Sequence, residues 1–216
     1  MNDYPSCEGL QAEVAEGVLR LVIDRPAKRN ALTDDIVAAM IDGISAAGSD
    51  EAVRVILITG TGDHFCSGFD ILSRNSGEPS RPRVGSIQRR LPSQAHGLIT
   101  LMTSVQTPIV AVARGWVAGI GLHLVLAADF AVVAEEARLW EPFAERGFTA
   151  DSGGTWLLPR RVGEVRAREM LLLGRAVTGA EAAAWGMVHH AVPEPELDAA
   201  GHDLLSGLAA GPTVTV

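Results

Sequence analysis

Two short glycine-flanked turns have the residue types needed to present backbone N–H groups to a ligand. They are residues 67–70 and 118–121, and each follows an apolar segment typical of a strand. The second turn leads into a helical pattern, so the positive end of a helix dipole adds to its amides and favours a developing oxyanion there. The same glycines would also allow a helix to pack tightly on a sheet, and the pattern alone leaves both interpretations open.

A cationic loop follows the first predicted strand. The apolar run Val18–Ile23 ends at Asp24 and Pro26, and the next residues carry Arg25, Lys28 and Arg29. On a chain with a formal net charge of −8, this loop predicts either a contact with an anionic ligand or a solvated turn.

Strands and helices alternate along the rest of the chain. Thr33 or Asp34 can cap a helix that Gly48 ends, and Thr178 with Glu181 forms a capping-box pattern before a helix that ends at Gly186. This alternation predicts a layered α/β fold with largely parallel strands. The further predicted strands are residues 53–58, 109–112 and 129–133, and the further predicted helices are residues 94–104, 122–127 and 166–173.

Composition excludes several classes of protein. The chain has 216 residues, 18 basic against 26 acidic side chains and 47% hydrophobic residues, which argues against nucleic-acid binding and for one folded domain, residues 1–216. Within it, residues 74–93 mix prolines and glycines with arginines and predict a mobile basic loop. The longest apolar stretch, between Arg114 and Asp129, is shorter than the roughly 20 residues of a membrane span and predicts a buried core segment.

Cysteines and histidines also limit the interpretation. Two cysteines cannot form a disulfide framework, and the N-terminus lacks a signal-peptide pattern, so the sequence predicts a cytoplasmic protein. His189 and His190 are adjacent on a predicted strand, where their side chains would face opposite sides, and we therefore expect no metal site.

Five segments together carry a specific resemblance. The chain resembles the crotonase family, the enoyl-CoA hydratase/isomerase superfamily, which implies a ClpP/crotonase-type spiral of β-β-α units. It also implies an acyl-CoA or enoyl-CoA substrate, no cofactor beyond the CoA carried by the substrate, no membrane insertion, and a homotrimer or dimer of trimers. The segments are residues 24–32, 65–71, 113–122, 127–130 and 151–160.

The resemblance assigns roles to individual residues. In that family two backbone amides hold the thioester oxygen while an enolate forms, and the matching amides here belong to Phe69 and Ile120. Arg25, Lys28 and Arg29 would meet the CoA phosphates. The further residues expected to contact substrate are Ala31, Ser67, Gly68, Asp70, Ile71, Gly119 and Phe143.

The departures from the family pattern concern water. Family hydratases use two glutamates to position and activate water, and the alignment places His123 and Phe143 at those positions. This argues against hydration by the paired-glutamate route, although a small shift of register would restore Glu141 or Glu145. His123 is then either a hydrogen-bond donor and second acid or a satisfied core residue.

Asp151 is the remaining candidate acid or base. In family members that shift double bonds or act on aromatic thioesters, an aspartate at the matching place serves as base or nucleophile. An aspartate before Ser152 and two glycines is also a good helix N-cap, and the two roles can coexist. The favoured activity is therefore an isomerase-type double-bond shift with Asp151 as the base.

Three alternatives stay open. The first is a hydratase with a non-standard acid/base pair, and the second is a non-catalytic acyl-CoA binder. The third rests on residues 151–154, which look like the nucleophile segment of chymotrypsin-like serine proteases, although those are all-β and usually disulfide-bonded. The resemblance also predicts that residues 194–216 begin a helical region that is shortened relative to the family.

Overall fold

The computed structural model describes residues 4–70 and 94–211, which form two sheets and the helices around them. The strands in chain order are β1 (Leu10–Ala15), β2 (Val18–Ile23), β3 (Val55–Gly60), β4 (Ile109–Ala113), β5 (Trp116–Ala118), β6 (Phe130–Ala134), β7 (Arg138–Trp140), β8 (Val177–Thr178) and β9 (His190–Val192). The helices are α1 (Asp34–Ala47), α2 (Ala95–Met102), α3 (Ile120–Ala127), α4 (Gly154–Leu173), α5 (Gly179–Ala184) and α6 (Leu197–Ala210).

The large sheet has the strand order β1-β2-β3-β4-β6-β9. The edge strand β1 runs antiparallel to β2, because the two form a hairpin, and the remaining pairs of this sheet are parallel. The predicted α/β fold with largely parallel strands is confirmed.

The small sheet has the strand order β5-β7-β8. Its strands β5 and β7 alternate along the chain with β4 and β6 of the large sheet, so the chain winds as a spiral between the two sheets. β4 and β6 lie in the large sheet, and each is followed at once by a short strand, β5 or β7, in the small one. A helix, α3 or α4, then follows. These two turns of the chain each contribute one strand to each sheet and a helix, which is the β-β-α unit that the resemblance implies.

Two helix starts follow the predicted capping chemistry. The Thr33 hydroxyl accepts the N–H of Ile36 at 3.3 Å at the start of α1. Thr178 and Glu181 form the predicted capping box of α5, each accepting the other's backbone N–H at 3.1 Å. Every residue of α3 is buried, which confirms that the longest apolar stretch belongs to the core.

Some predicted boundaries are wrong. The predicted strand 129–133 lies one residue later, as β6, because the Asp129 side chain accepts the N–H of Ile109 at 2.8 Å outside the ladder. The predicted helix 166–173 is the second half of α4, whose two halves meet at a non-helical Gly163.

Several predictions lie partly or wholly outside the described residues. These are the loop 74–93, the substrate contact of Ile71 and the end of the region 194–216, of which residues 194–210 form a short 3₁₀ turn and α6. Within the described part of the chain, no helix has the length and apolar character needed to cross a bilayer.

Candidate active site

The structure brings the two glycine-flanked turns into contact. The N–H of Cys66 donates to the Trp116 carbonyl at 3.0 Å, and the N–H of Ala118 donates to the Cys66 carbonyl at 2.9 Å. A Cβ atom placed on Gly119 would lie 4.0 Å from Cα of Gly68. The turns therefore meet at their glycines.

The amides of Phe69 and Ile120 each follow one of these glycines. Gly68 has φ +113° and Gly119 has φ +55°, conformations that residues with a Cβ rarely adopt. Ile120 is the first residue of α3, where helix geometry leaves the N–H without an acceptor in the helix and the dipole is positive. Backbone N–H groups in such turns are of the kind that can polarise an oxygen atom.

Cys66 lies directly beneath this junction. The N–H of Gly68 donates to its sulfur at 3.5 Å, and a Cβ on Gly121 would come within 2.6 Å of the Cys66 carbonyl oxygen. Complete burial raises the pKa of the Cys66 thiol to about 12. The thiol is a neutral packing group that supports both turns, and it was not among the residues predicted from the sequence.

The predicted substrate-binding loop is tied to the first turn. The N–H of Ser67 donates to the Arg29 carbonyl at 3.0 Å, and the N–H of Leu32 donates to the Gly68 carbonyl at 2.8 Å. The Arg25 guanidinium donates to the Ala31 carbonyl and pairs with the Asp70 carboxylate at 2.9 Å. Arg25 and Asp70 thus hold the two loops together, a structural role in addition to the predicted contact with substrate.

Asn30 is a further residue that the sequence interpretation did not single out. It is completely buried with φ +56°, and its amide nitrogen donates to the carbonyls of Thr61 and His64 at 2.9 and 2.6 Å. These bonds fix the loop on the end of β3 and leave the side chains of Lys28 and Arg29 exposed. An uncharged polar residue inside a cationic loop is the sequence signal that could have suggested it.

Asp151 is not the cap of α4. The N-cap is Gly153, with φ +85° and no side-chain capping bond. The Asp151 carboxylate instead accepts a hydrogen bond from the Ser152 hydroxyl at 3.0 Å. The backbone carbonyl of Asp151 accepts the N–H of Gly154 at 2.9 Å. The N-cap interpretation is therefore wrong, because a glycine adopts the left-handed cap conformation more easily.

Ser152 has a strained backbone in this turn. Its φ of +44° costs on the order of 1 kcal/mol or more, and such strain concentrates at functional sites. Its hydroxyl is almost fully buried and bonds to Asp151. Together with the α/β fold, this removes the serine-protease alternative.

His123 and Glu141 form a buried pair. Nε2 of His123 lies 3.0 Å from Oε1 of Glu141, and their side chains are 0% and 1% exposed. Gly154 packs on this pair, since a Cβ there would lie 2.5 Å from the His123 Nε2. His123 is therefore not an isolated core histidine, and Glu141, rather than Glu145, is its carboxylate partner.

Phe143 lies over this pair and beside the second turn. Its ring is nearly parallel to the His123 imidazole, with centroids 5.9 Å apart, and lies 3.9 Å from the position of a Cβ on Gly119. The Phe143 ring thus covers one side of the second turn, at Gly119.

The two adjacent histidines are not arranged as predicted. The rings of His189 and His190 are 4.7 Å apart, because β9 begins only at His190 and the strand alternation does not extend to His189. Over residues 4–70 and 94–211, no group of three or more His, Cys, Asp or Glu side chains is placed to hold a metal ion.

Comparison with known proteins agrees with this architecture. The chain is 31% identical over 206 residues to a 1,2-epoxyphenylacetyl-CoA isomerase of Escherichia coli (strain K12), covering 95% of this chain and 78% of that protein. It is 30% identical over 204 residues to a 4-chlorobenzoyl coenzyme A dehalogenase of an Arthrobacter species, covering 94% and 73%. The crystal structure of an enoyl-CoA hydratase from Mycobacterium avium subsp. paratuberculosis K-10 superposes with a TM-score of 0.87 and 30% identity, covering 97% and 82%.

A family model confirms the resemblance over most of the chain. The enoyl-CoA hydratase/isomerase model matches residues 13–216. This chain therefore belongs to the enoyl-CoA hydratase/isomerase family and has its crotonase fold.

Proposed function

We propose that this protein is an enoyl-CoA isomerase, which shifts a double bond by forming a thioester enolate. One observation carries the proposal. The Asp151 carboxylate is not consumed as a helix cap, and Gly154, in the turn that follows Asp151, packs on the His123 side chain of α3, the helix that begins with Ile120. The turn after Asp151 therefore contacts a side chain of the helix that supplies one of the two proposed oxyanion amides.

Each proposed residue has a distinct role. The N–H groups of Phe69 and Ile120 bind the thioester oxygen, and two preorganised donors in a dry site stabilise the negative charge that develops there. Asp151 takes the proton from the α-carbon, and the electron pair of that bond moves onto the thioester oxygen. Asp151 then returns the proton to the γ-carbon, so the double bond moves by one position and nothing else is consumed.

The test is α-proton exchange in heavy water. A panel of acyl-CoA and 3-enoyl-CoA thioesters is incubated with the protein, and deuterium at the α-carbon is measured by mass spectrometry. We expect exchange with the unaltered protein and a loss of at least about 100-fold in Asp151→Asn, the usual scale of a missing general base. Asp203→Asn, at an exposed aspartate on α6, is the matched control and should exchange normally.

The other outcomes are equally informative. Exchange that survives in Asp151→Asn would remove Asp151 from the reaction. Thioester binding without any exchange would instead favour a non-catalytic acyl-CoA binder.

Hydration by a non-standard pair is the second candidate. It is favoured by the His123–Glu141 pair, in which the His123 Nδ1 and the Glu141 Oε2 have no hydrogen-bond partner among the described residues. A 2-enoyl-CoA converted to a 3-hydroxyacyl-CoA faster than any 3-enoyl-CoA is isomerised would establish this candidate over the first.

Lys28 and Arg29 are proposed to bind the CoA phosphates. Both side chains are exposed, beside the loop that Asn30 anchors, so their charges are free to meet an anion. Lys28→Glu or Arg29→Glu should each weaken binding of CoA by about tenfold at low salt, with a smaller effect as ionic strength rises. Isothermal titration at several salt concentrations measures this, with Arg168→Glu, an exposed site on α4, as the matched charge reversal. Equal affinity in all three variants would exclude both cations from the site.

The protein is also proposed to form a homotrimer or a dimer of trimers. In support, α4 carries large apolar side chains that face solvent in the isolated chain, with Leu172 and Leu173 69% and 74% exposed and Trp156 52% exposed. Light scattering after size exclusion should give three or six chain masses, and Leu173→Glu should lower that mass. Its cytoplasmic location stays a prediction.

A further inference from the structure

The side chain of Phe143 lies against both the second glycine-flanked turn and the His123–Glu141 pair. On one side, its ring lies 3.9 Å from the position of a Cβ on Gly119, the glycine before the Ile120 amide. On the other side it stacks on the imidazole of His123, with an angle of 4° between the ring planes. Phe143 is only half-buried, whereas His123 and Glu141 behind it are almost completely buried. The ring therefore contacts both the glycine that precedes the Ile120 amide and the imidazole of the pair.

The pair behind this ring has unused hydrogen-bonding capacity. With the Glu141 carboxylate ionised, the contact at 3.0 Å requires Nε2 of His123 to be the donor. A neutral imidazole then keeps its lone pair on Nδ1, which has no partner among the described residues, and Glu141 Oε2 has none there either. A basic nitrogen and a carboxylate oxygen are the groups that can bind and deprotonate a water molecule.

We propose that Phe143 determines the reaction outcome by keeping water away from the His123–Glu141 pair. This inference rests on the proposed enolate chemistry and adds the residue that selects between a double-bond shift and hydration. In this arrangement Glu141 is a positioning residue, since it fixes the tautomer of His123. A smaller residue at position 143 opens a path from the acyl group to Nδ1 and gives the protein hydratase activity.

The gained reaction is balanced without any further reagent. Water gives a proton to Nδ1 of His123, and its oxygen forms a bond to the β-carbon of a 2-enoyl thioester. The π electron pair moves to the thioester oxygen, where the amides of Phe69 and Ile120 stabilise the enolate. The α-carbon then takes the proton back from Nδ1, the thioester carbonyl re-forms, and the product is a 3-hydroxyacyl thioester.

The test compares hydration by four variants with the unaltered protein. Each is incubated with a 2-enoyl-CoA in water enriched in oxygen-18, and labelled 3-hydroxyacyl-CoA is measured by mass spectrometry. We expect at least about 100-fold more product from Phe143→Ala, the lower end of what a positioned acid–base group supplies, and a gain from Phe143→Val. The valine variant removes less side-chain volume, so it can still be measured if the alanine variant does not fold. Phe148→Ala removes a phenyl ring that is 66% exposed and is the matched control, with no expected gain.

The fourth variant tests the role of the pair itself. Adding Glu141→Gln to Phe143→Ala should return hydration to the level of the unaltered protein, because an amide no longer fixes the tautomer of His123. No gain in folded Phe143→Ala or Phe143→Val would overturn the proposal, and so would a gain that persists in this double variant.

The two proposals fail in different ways. The enolate proposal is contradicted if the unaltered protein exchanges no α-proton of any thioester. The Phe143 proposal is contradicted if hydration is unchanged in the Phe143 variants while the unaltered protein still exchanges α-protons.

Discussion

Gly121→Ala is expected to reduce turnover by about 100- to 1,000-fold while the protein still folds. A Cβ at this position would lie 2.6 Å from the Cys66 carbonyl oxygen and 2.8 Å from the Cys66 Cβ. Neither atom is at the end of a flexible side chain. The first turn of α3 must therefore move away from Cys66 and from the turn of residues 67–70 that follows it. That displacement takes the Ile120 amide out of register with the Phe69 amide, and a misplaced oxyanion donor is lost to the reaction.

The measurement is kcat/KM for the best substrate of the exchange panel, with circular dichroism to establish folding. Gly207→Ala is the matched control, because this glycine also lies in a helix, α6, and an added Cβ meets nothing within 4 Å. We expect the control to keep full activity and to gain up to about 1 kcal/mol of stability from the higher helix propensity of alanine. A folded Gly121→Ala with normal turnover would contradict the assignment of the Ile120 amide.

Glu141→Ala has the second largest expected effect, a loss of about 3–5 kcal/mol in the free energy of unfolding. The substitution leaves the His123 imidazole completely buried without its partner and opens a cavity under Gly154. Glu141→Gln should lose less, because the amide keeps the side-chain volume and can still hydrogen-bond to Nε2. Urea denaturation with a linear extrapolation measures both changes.

An exposed ion pair supplies the comparison for Glu141. Glu164 pairs with Arg168 at 2.8 Å on the surface of α4, with both side chains more than half exposed. Glu164→Ala should cost less than about 0.5 kcal/mol because solvent screens such pairs. Equal losses for Glu141→Ala and Glu164→Ala would mean that the buried pair does not stabilise the fold.

The fold could be predicted where the signal is local. Thr33 caps α1 because its hydroxyl reaches the N–H three residues later, a relation within the same segment. The strands β2 and β3 are apolar and rich in β-branched residues, which is typical of parallel strands with both faces covered. The short strands β5, β7 and β8 have two or three residues each, too few to show a period, and only the tertiary structure defines them.

The candidate site shows the same division. The sequence predicts the two glycine turns because a positive φ favours glycine over other residue types. The sequence does not single out Glu141, because its partner His123 is 18 positions away and a glutamate ordinarily predicts a solvent-exposed position. The sequence allows two roles for Asp151, because capping depends on the backbone conformation before the helix. In the structure the N-cap residue is Gly153, with φ +85°.

Cys66 has a consequence for how the protein tolerates oxidants and electrophiles. A thiol directly below the proposed reaction centre would make that centre sensitive to sulfenic acid formation or alkylation if the thiol were accessible and ionised, since both reactions need an accessible thiolate. Here the sulfur is completely buried and its pKa is raised to about 12, so the thiolate is not formed at physiological pH. The chain has one other cysteine, the half-buried Cys7. Thiol reagents should therefore modify Cys7 alone and leave turnover unchanged.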